Sequence, residues 1–376
     1  MRVILIAKSF SKGGAASGAR NLRNSLKSAG HEVICLDGYE AQKRNFFLGI
    51  FRLLERVVER AFLDAETHFL RLWWPTFDLR ALEKKYKPDV IQLCDVSGNT
   101  IGFSHIKYVS CPVVHRMSDF WPYKGSAHYS SISSICRDWA NWIHRKMIFD
   151  GFSWPDMRVA PSQWLADSLL NDSLGSPVVF IPNAVERSGI SSGRAPKPGV
   201  VVFGFVSNAV LDPRKGFDRL ARKLEFFAKN GCAVELKVFG ELRESEKKPF
   251  QGVSVSYLGR FKSADLACVY GDIDILLCPS RLDNSPNVVT EALAHGCPVI
   301  GQAGTGMASY IYSDFGGLVD FDDLSPEGMS LFSGLVTRLL ETHADCSESA
   351  LSFVANELSP AVIGRKYTSL YSTLRQ

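Results

Sequence analysis

Long apolar runs are missing from this 376-residue sequence. The stretches 3–7 and 275–278 are typical of the longest, far short of the roughly 18–20 residues a membrane span requires. Only five apolar residues separate Arg2 from Lys8, too few for a signal-peptide core, so a protein kept in the cytoplasm is expected. Cysteine pairs are missing too. The nine cysteines (Cys35, Cys94, Cys111, Cys136, Cys232, Cys268, Cys278, Cys297 and Cys346) include no C-x-x-C, which excludes a zinc knuckle and a thioredoxin-type motif. Most lie in apolar context and read as reduced core thiols of a reducing compartment. No G-x-G-x-x-G is present at either opening strand–helix turn; the first reads Gly13-Gly14-Ala15-Ala16-Ser17-Gly18, which disfavours a nicotinamide dinucleotide. Strong charge is absent as well, since a net +4 gives no argument for nucleic acid.

Hydrophobic residues at 46% and charged residues at 22% are ordinary for a globular protein and exclude a disordered or collagen-like chain. The length suits two domains. The charge is uneven. Residues 1–185 hold 23 Lys and Arg against 17 Asp and Glu, whereas the rest hold 20 against 22. The basic half is the one to meet an anionic surface such as a phospholipid membrane, unless a surplus of this size is incidental.

The chain opens strand 3–7, glycine-bearing loop 8–14, helix 15–29, strand 33–36. This βαβ start predicts a parallel sheet with ligand loops at its carboxyl edge. Further strands are expected at 89–93, 112–115, 157–160 and 178–181. Helices are expected at 133–150 and after Ser162, which can cap its helix. Residues 186–199 are rich in Ser, Gly, Pro and basic side chains and read as a linker. Alternation then restarts. Strands 200–206, 234–239, 253–257, 275–278, 299–300 and 317–319 interleave with helices 216–229, 264–270 and 288–295, and helices fill most of 324–375. Two doubly wound α/β units with a cleft between them follow.

The segment 46–74 stands apart. Phe46, Phe47, Ile50, Leu53, Leu54, Val57, Val58, Ala61 and Phe62 recur at helical spacing, with Arg52, Arg56, Arg60, Glu55 and Glu59 between them and Phe69, Leu72, Trp73 and Trp74 beyond. The stripe is either a core-facing helix or a face that rests on a membrane, with Lys43 and Arg44 adding charge.

Four groups of residues carry chemistry. Arg214-Lys215-Gly216 follows strand 200–206 and is read as opening a helix, where two cations and outward N–H groups suit a phosphate; solvated surface charge is the other reading. Asp283-Asn284-Ser285-Pro286-Asn287 follows strand 275–278, with Glu291 eight positions after Asp283. If a helix starts near Pro286, both acids can face one ligand at its amino end; alternatively Asp283 or Ser285 caps the helix and Glu291 is exposed. Ser118-Asp119-Phe120-Trp121-Pro122-Tyr123, with His128, offers apolar rings and polar groups that suit a sugar, or is a loop held by buried aromatics. Gly13 and Gly14 let backbone approach a phosphate. The D-x-D pairs at 272–274 and 320–322 read as turn residues, and no catalytic metal is expected.

Together these motifs resemble the retaining glycosyltransferases of family 4, with the GT-B fold of two Rossmann-like domains facing across a cleft. The resemblance covers nearly the whole chain and looks closest to the branch that builds bacterial exopolysaccharides and lipopolysaccharides. It implies an acceptor-binding domain 1–185, a linker 186–199, a nucleotide-sugar-binding domain 200–357 and a helix 358–376 returning to the first domain. The acid pair Asp283 and Glu291 matches the family's two-acid motif, within a stretch that runs on through Ala292-Leu293-Ala294-His295-Gly296-Cys297-Pro298. Arg214-Lys215-Gly216 matches its phosphate segment, Ala160-Pro161-Ser162 with Ile181-Pro182-Asn183 its interdomain border, and Gly13-Gly14 its first glycine loop. By resemblance Lys215 and Arg214 hold the donor diphosphate, Glu291 the ribose and Asp283 the sugar, with Asn284, Ser285 and Asn287 beside them. Asp119, Trp121 and His128 would orient a glycan or lipid-linked acceptor, and no cofactor is implied. Ala209 stands where many members place an Arg, and Ser118 where many place a His. An epimerase or hydrolase acting on a nucleotide sugar, or a non-catalytic subunit of the same fold, are the competing classes.

Overall fold

The structure is a computed structural model. It describes all residues except 12, 45–46, 48–49, 51–52, 54–56, 58–74, 98–99, 122, 124–153, 171–175, 188–194 and 230. The expected helix 133–150, most of the 46–74 stripe and His128 therefore lie outside the described residues. The chain forms two units, Met1–Ala184 with Pro360–Gln376, and Val185–Ser359.

The first unit runs β1 (Arg2–Ala7), α1 (Gly14–Ser28), β2 (Glu32–Asp37), α2 (Gly38–Arg44), α3 (Leu79–Tyr86), β3 (Val90–Leu93), β4 (Val113–Arg116), β5 (Met157–Ala160), α4 (Gln163–Leu169) and β6 (Val178–Phe180). Its sheet is parallel in the order β2-β1-β3-β4-β5-β6. Strands β3 and β4 are buried along their length, as strands covered on both faces must be; β3 is an uncharged run for that reason, while β4 ends on His115 and Arg116. Ser162 does cap α4, accepting from Leu165 N–H.

The second unit runs β7 (Val200–Ala209), α5 (Leu220–Lys229), β8 (Ala233–Glu241), β9 (Val253–Gly259), α6 (Leu266–Gly271), β10 (Ile275–Cys278), α7 (Asn287–Ala294), β11 (Val299–Gln302), β12 (Gly316–Val319), α8 (Pro326–Glu341) and α9 (His343–Phe353). Its sheet is also parallel, ordered β12-β11-β10-β7-β8-β9. The chain then returns to the first unit as α10 (Pro360–Leu374), which lies on α1. Gly364 makes that approach possible, because a Cβ there would meet the Ser25 carbonyl at 2.3 Å. Tyr371 donates to the buried Gln92 side chain at 2.7 Å and locks the helix to β3.

Two expectations need correction. Of the apolar stripe, Phe47, Ile50, Leu53 and Val57 are described, and all four are exposed, so they are not core. Of the cysteines, Cys94, Cys278, Cys297 and Cys346 are buried, but Cys35, Cys232 and Cys268 are at the surface. Both errors share a cause: local apolar context does not say which side of an element meets the rest of the chain.

Candidate active site

In a doubly wound sheet, ligands gather where the strand order reverses, at the carboxyl ends of the two strands that flank the reversal. In the second unit those strands are β7 and β10. The loop after β7 carries Arg214 and Lys215, and the loop after β10 carries Asp283.

The loop after β7 is built by short-range rules. Asp212 accepts from Arg214 N–H at 2.9 Å, and Pro213 fixes the first position of a single 3-10 turn, Pro213–Lys215. Gly216 then takes a left-handed conformation, φ 72°, and caps a 3-10 turn, Phe217–Arg219, that runs directly into the α-helix from Leu220. Arg214 and Lys215 therefore stand directly before a helix start, as expected, with Gly216 at its cap position. Glycine is required twice over at 216. Its φ is unfavourable for other residues, and a Cβ would lie 2.2 Å from the Pro279 carbonyl oxygen.

That close approach brings the loop after β7 against the loop after β10, and two arginines tie them. Arg219 is buried and donates to the Pro279 carbonyl at 2.8 Å, while Asp322 and Asp320 hold its other side at 2.8 and 3.3 Å. These aspartates serve a guanidinium rather than only a turn. Arg281 donates twice to Asp218, at 2.9 and 2.7 Å, and once to the Pro213 carbonyl. Its guanidinium holds the Asp218 carboxyl below the ordinary carboxylate range. The result is direct contact between two residues 68 positions apart: Lys215 Nζ donates to Asp283 Oδ2 at 2.6 Å. Asp283 is nearly buried, so the pair is a charge-assisted bond with limited access to water. Arg214 leans on Asp212 at 3.3 Å.

The Asp283 loop is braced from behind. Gly306 N–H donates to the Asp283 carbonyl at 3.0 Å, and a Cβ on Gly306 would fall 1.7 Å from the Asn284 carbonyl oxygen. Asn284 is consequently buried. Ser285 Oγ and Tyr310 OH lie 2.7 Å apart. Helix α7 starts at Asn287, and its cap position is held by Pro286, which makes no side-chain cap bond, rather than by Asp283 or Ser285. Glu291 lies one turn into α7 and is bonded to neither Lys215 nor Asp283. Its Oε2 accepts from Tyr270 OH at 3.2 Å, and Tyr270 stacks on His295. Burial holds the Glu291 carboxyl above its ordinary range, and the Tyr270 bond pulls it part of the way back. Tyr270, Tyr310, Arg219, Arg281 and Gly306 were not picked out from the sequence. The Gly304-Thr305-Gly306 spacing was the one signal available for the last of them.

In the first unit Gly13 and Gly14 are exposed at the start of α1, with Gly13 at φ 90°. Asp119 accepts from Trp121 N–H at 2.9 Å, and Trp121 is buried edge-on to Phe103. The Trp121 ring belongs to the apolar core beside β3 and β4. His115, at β4, is buried behind this loop. Its Nε2–H donates to the Cys94 carbonyl at 3.0 Å, so Nδ1 accepts from the Tyr123 hydroxyl. Burial pushes this imidazole down to about 4, which keeps it neutral.

Comparison with known proteins adds to this geometry. The profile of Glycosyltransferase Family 4 matches residues 12–188, and that of Glycosyl transferases group 1 matches residues 200–329. A GDP-mannose-dependent alpha-mannosyltransferase of Mycobacterium tuberculosis (strain CDC 1551 / Oshkosh) is 26% identical over 317 residues, which are 80% of this chain and 78% of that protein. The sucrose-phosphate synthase of Thermosynechococcus elongatus superposes with a TM-score of 0.65 at 16% identity, over 100% of this chain and 99% of its own. The lipopolysaccharide outer core galactosyltransferase WaaB, in its apo form, superposes with a TM-score of 0.62 at 14% identity, over 99% and 100%.

Proposed function

The chain belongs to glycosyltransferase family 4 and has the GT-B fold, and from that premise we propose that it transfers a hexose, with retention, from a nucleoside-diphosphate sugar to a glycan or lipid-linked acceptor in bacterial surface polysaccharide synthesis. The observation that carries the reading is the Lys215–Asp283 contact at the β7/β10 reversal. The mannosyltransferase relative's dependence on GDP-mannose supports a nucleotide-sugar donor, and the WaaB likeness supports a surface-glycan acceptor.

The bond between the anomeric carbon and the diphosphate oxygen breaks, and negative charge grows on the leaving group. Lys215, assisted by Arg214, meets that charge with fixed cations in place of a metal ion. Asp283 holds Lys215 in position and contacts the donor sugar. Glu291 accepts from the ribose hydroxyls, with Tyr270 orienting its carboxylate. Gly13 and Gly14 approach the phosphates by backbone. The acceptor hydroxyl attacks the face the diphosphate leaves and gives its proton to a departing phosphate oxygen. Asp119 and His128 orient the acceptor.

Features of the first unit support a membrane role as part of this proposal. No helix among the described residues is long and apolar enough to cross a membrane. Exposed Phe47, Ile50, Leu53 and Val57 lie just beyond Lys43 and Arg44, and Arg52, Arg56 and Arg60 are interleaved in the sequence. We assign this stretch to reversible docking on an anionic bilayer, at the inner face of the cytoplasmic membrane.

A thermal-shift series with GDP-mannose, UDP-glucose and UDP-galactose tests the donor reading. A true donor at 100 times its Kd stabilises by about 2.7 kcal/mol. Donor turnover without any acceptor would instead identify an epimerase or hydrolase, and no response to any nucleotide a non-catalytic subunit.

A further inference from the structure

Arg116 ends β4, at the carboxyl edge of the first sheet, and is only 4% exposed. Its Nε and Nη2 both donate to a single acceptor, the side-chain carbonyl of Asn183, the first at 2.9 Å. Nη1 has no partner. No carboxylate pairs with Arg116 among the described residues. The neighbouring thiol is that of Cys94, pushed up to about 12 by burial, so it stays protonated and supplies no counter-charge. A buried cation served by one neutral oxygen and a neutral thiol is costly, and native proteins leave few buried donors unpartnered as Nη1 is.

The surroundings admit this guanidinium without neutralising it. A Cβ at residue 18 would sit 2.4 Å from Nη2 and 3.2 Å from Nη1, so Gly18 is what makes room. Gly18 lies in the second turn of α1, a 15-residue helix that begins after Gly13 with no side-chain cap and no acidic residue in its first turn. The amino end of such a helix favours anions.

We propose that Arg116 and the amino end of α1 form an oxyanion site of the first unit, which takes one phosphate group of a substrate, with Nη1 as the donor kept for it. The site uses no residue of the second unit and does not depend on the roles assigned to Lys215 and Glu291. Two sources supply the same chemistry, the diphosphate of the sugar donor and a phosphate carried by the acceptor.

The test uses the full-length Lys215→Ala protein, in which the second unit's lysine is gone, and titrates inorganic phosphate against chloride at constant ionic strength. Phosphate is expected to raise its melting temperature, and adding Arg116→Met is expected to abolish that rise. A phosphate response that survives Arg116→Met, or one missing from the Lys215→Ala parent, overturns the proposal. Arg116→Lys keeps the charge without the planar fork and decides the matter if the Met variant does not fold: phosphate affinity should fall roughly tenfold, and an unchanged affinity overturns the site. Competition in the same background separates the sources. Displacement of phosphate by UDP or GDP assigns the site to the donor, displacement by glycerol 3-phosphate assigns it to a phosphorylated acceptor, and displacement by neither overturns it.

Discussion

The two units share an architecture but treat the cations at the carboxyl edges of their sheets, Lys215 and Arg116, in different ways. Each is a six-stranded parallel sheet whose order reverses beside its first strand. In the second, Lys215 is matched by Asp283 and the loops around it are cross-tied by Arg219 and Arg281. In the first, Arg116 has an amide for company and a small residue beside it. A paired cation is held in place before the ligand arrives, at the cost of sharing its charge; an unpaired one keeps its charge for a ligand at the cost of stability. Topology decides where a site lies, and the side chains decide how much negative charge it still lacks.

The largest expected effect lies on the paired side. Lys215→Ala should lower kcat by roughly 10²–10³-fold, as for loss of one preorganised electrostatic donor. Unchanged turnover, measured under saturating donor, would remove Lys215 from the reaction.

Acid should separate the units next. His115 is neutral in the fold, with its titration pushed down to about 4 from an ordinary 6.5. Its contribution to stability is therefore complete above about pH 6.5 and is lost as pH falls toward 4, amounting to about 3 kcal/mol. Hydrogen exchange across this range should show β4 of the first unit opening before the second sheet. His115→Gln, which can donate to the Cys94 carbonyl and accept from Tyr123 without titrating, should flatten the dependence. Equal acid sensitivity in that variant would mean that other groups control it.

Glycine replacement gives a smaller contrast. Gly216→Ala meets a backbone carbonyl and a left-handed φ, and should cost about 1–3 kcal/mol. Gly18→Ala meets the end of a side chain that is able to shift, so its loss on chemical denaturation should be less. The reverse order would show that Arg116 is more rigid than the Lys215 loop.

Glu291→Gln should weaken free nucleoside diphosphate and whole donor alike, by roughly tenfold, because an amide cannot accept from two ribose hydroxyls as a carboxylate can. Calorimetry that finds loss for the sugar donor alone would move Glu291 to the sugar.

The smallest effect per residue belongs to the first unit's surface. Each basic side chain near an anionic bilayer adds about 1 kcal/mol within a Debye length. Sedimentation with anionic vesicles should exceed that with neutral ones and fall with salt. Equal pelleting with both, or none with either, would sink electrostatic docking.

What the sequence by itself determined was local. Apolar runs of four to seven residues alternating with helical periodicity were enough for two parallel sheets, because element type follows from side-chain spacing along a few turns or pleats. Ser162 was legible as a cap for the same reason. Lys215, Asp283 and Glu291 were legible as residue types at loop ends, but their partners were not. Arg214-Lys215-Gly216 was legible as the entry to a helix, but not that Gly216 lies against a carbonyl at Pro279, sixty-three positions later. The tertiary structure alone decided that Lys215 meets Asp283, that Asp320 and Asp322 serve Arg219, that Glu291 is held by Tyr270, and that Arg116 is buried with an idle donor. The physical reason is strand order. Crossover connections bring β10 beside β7 and β4 beside β3. The charge a side chain meets is then set by which strand end lies next to its own, a distance in space that no spacing along the chain encodes.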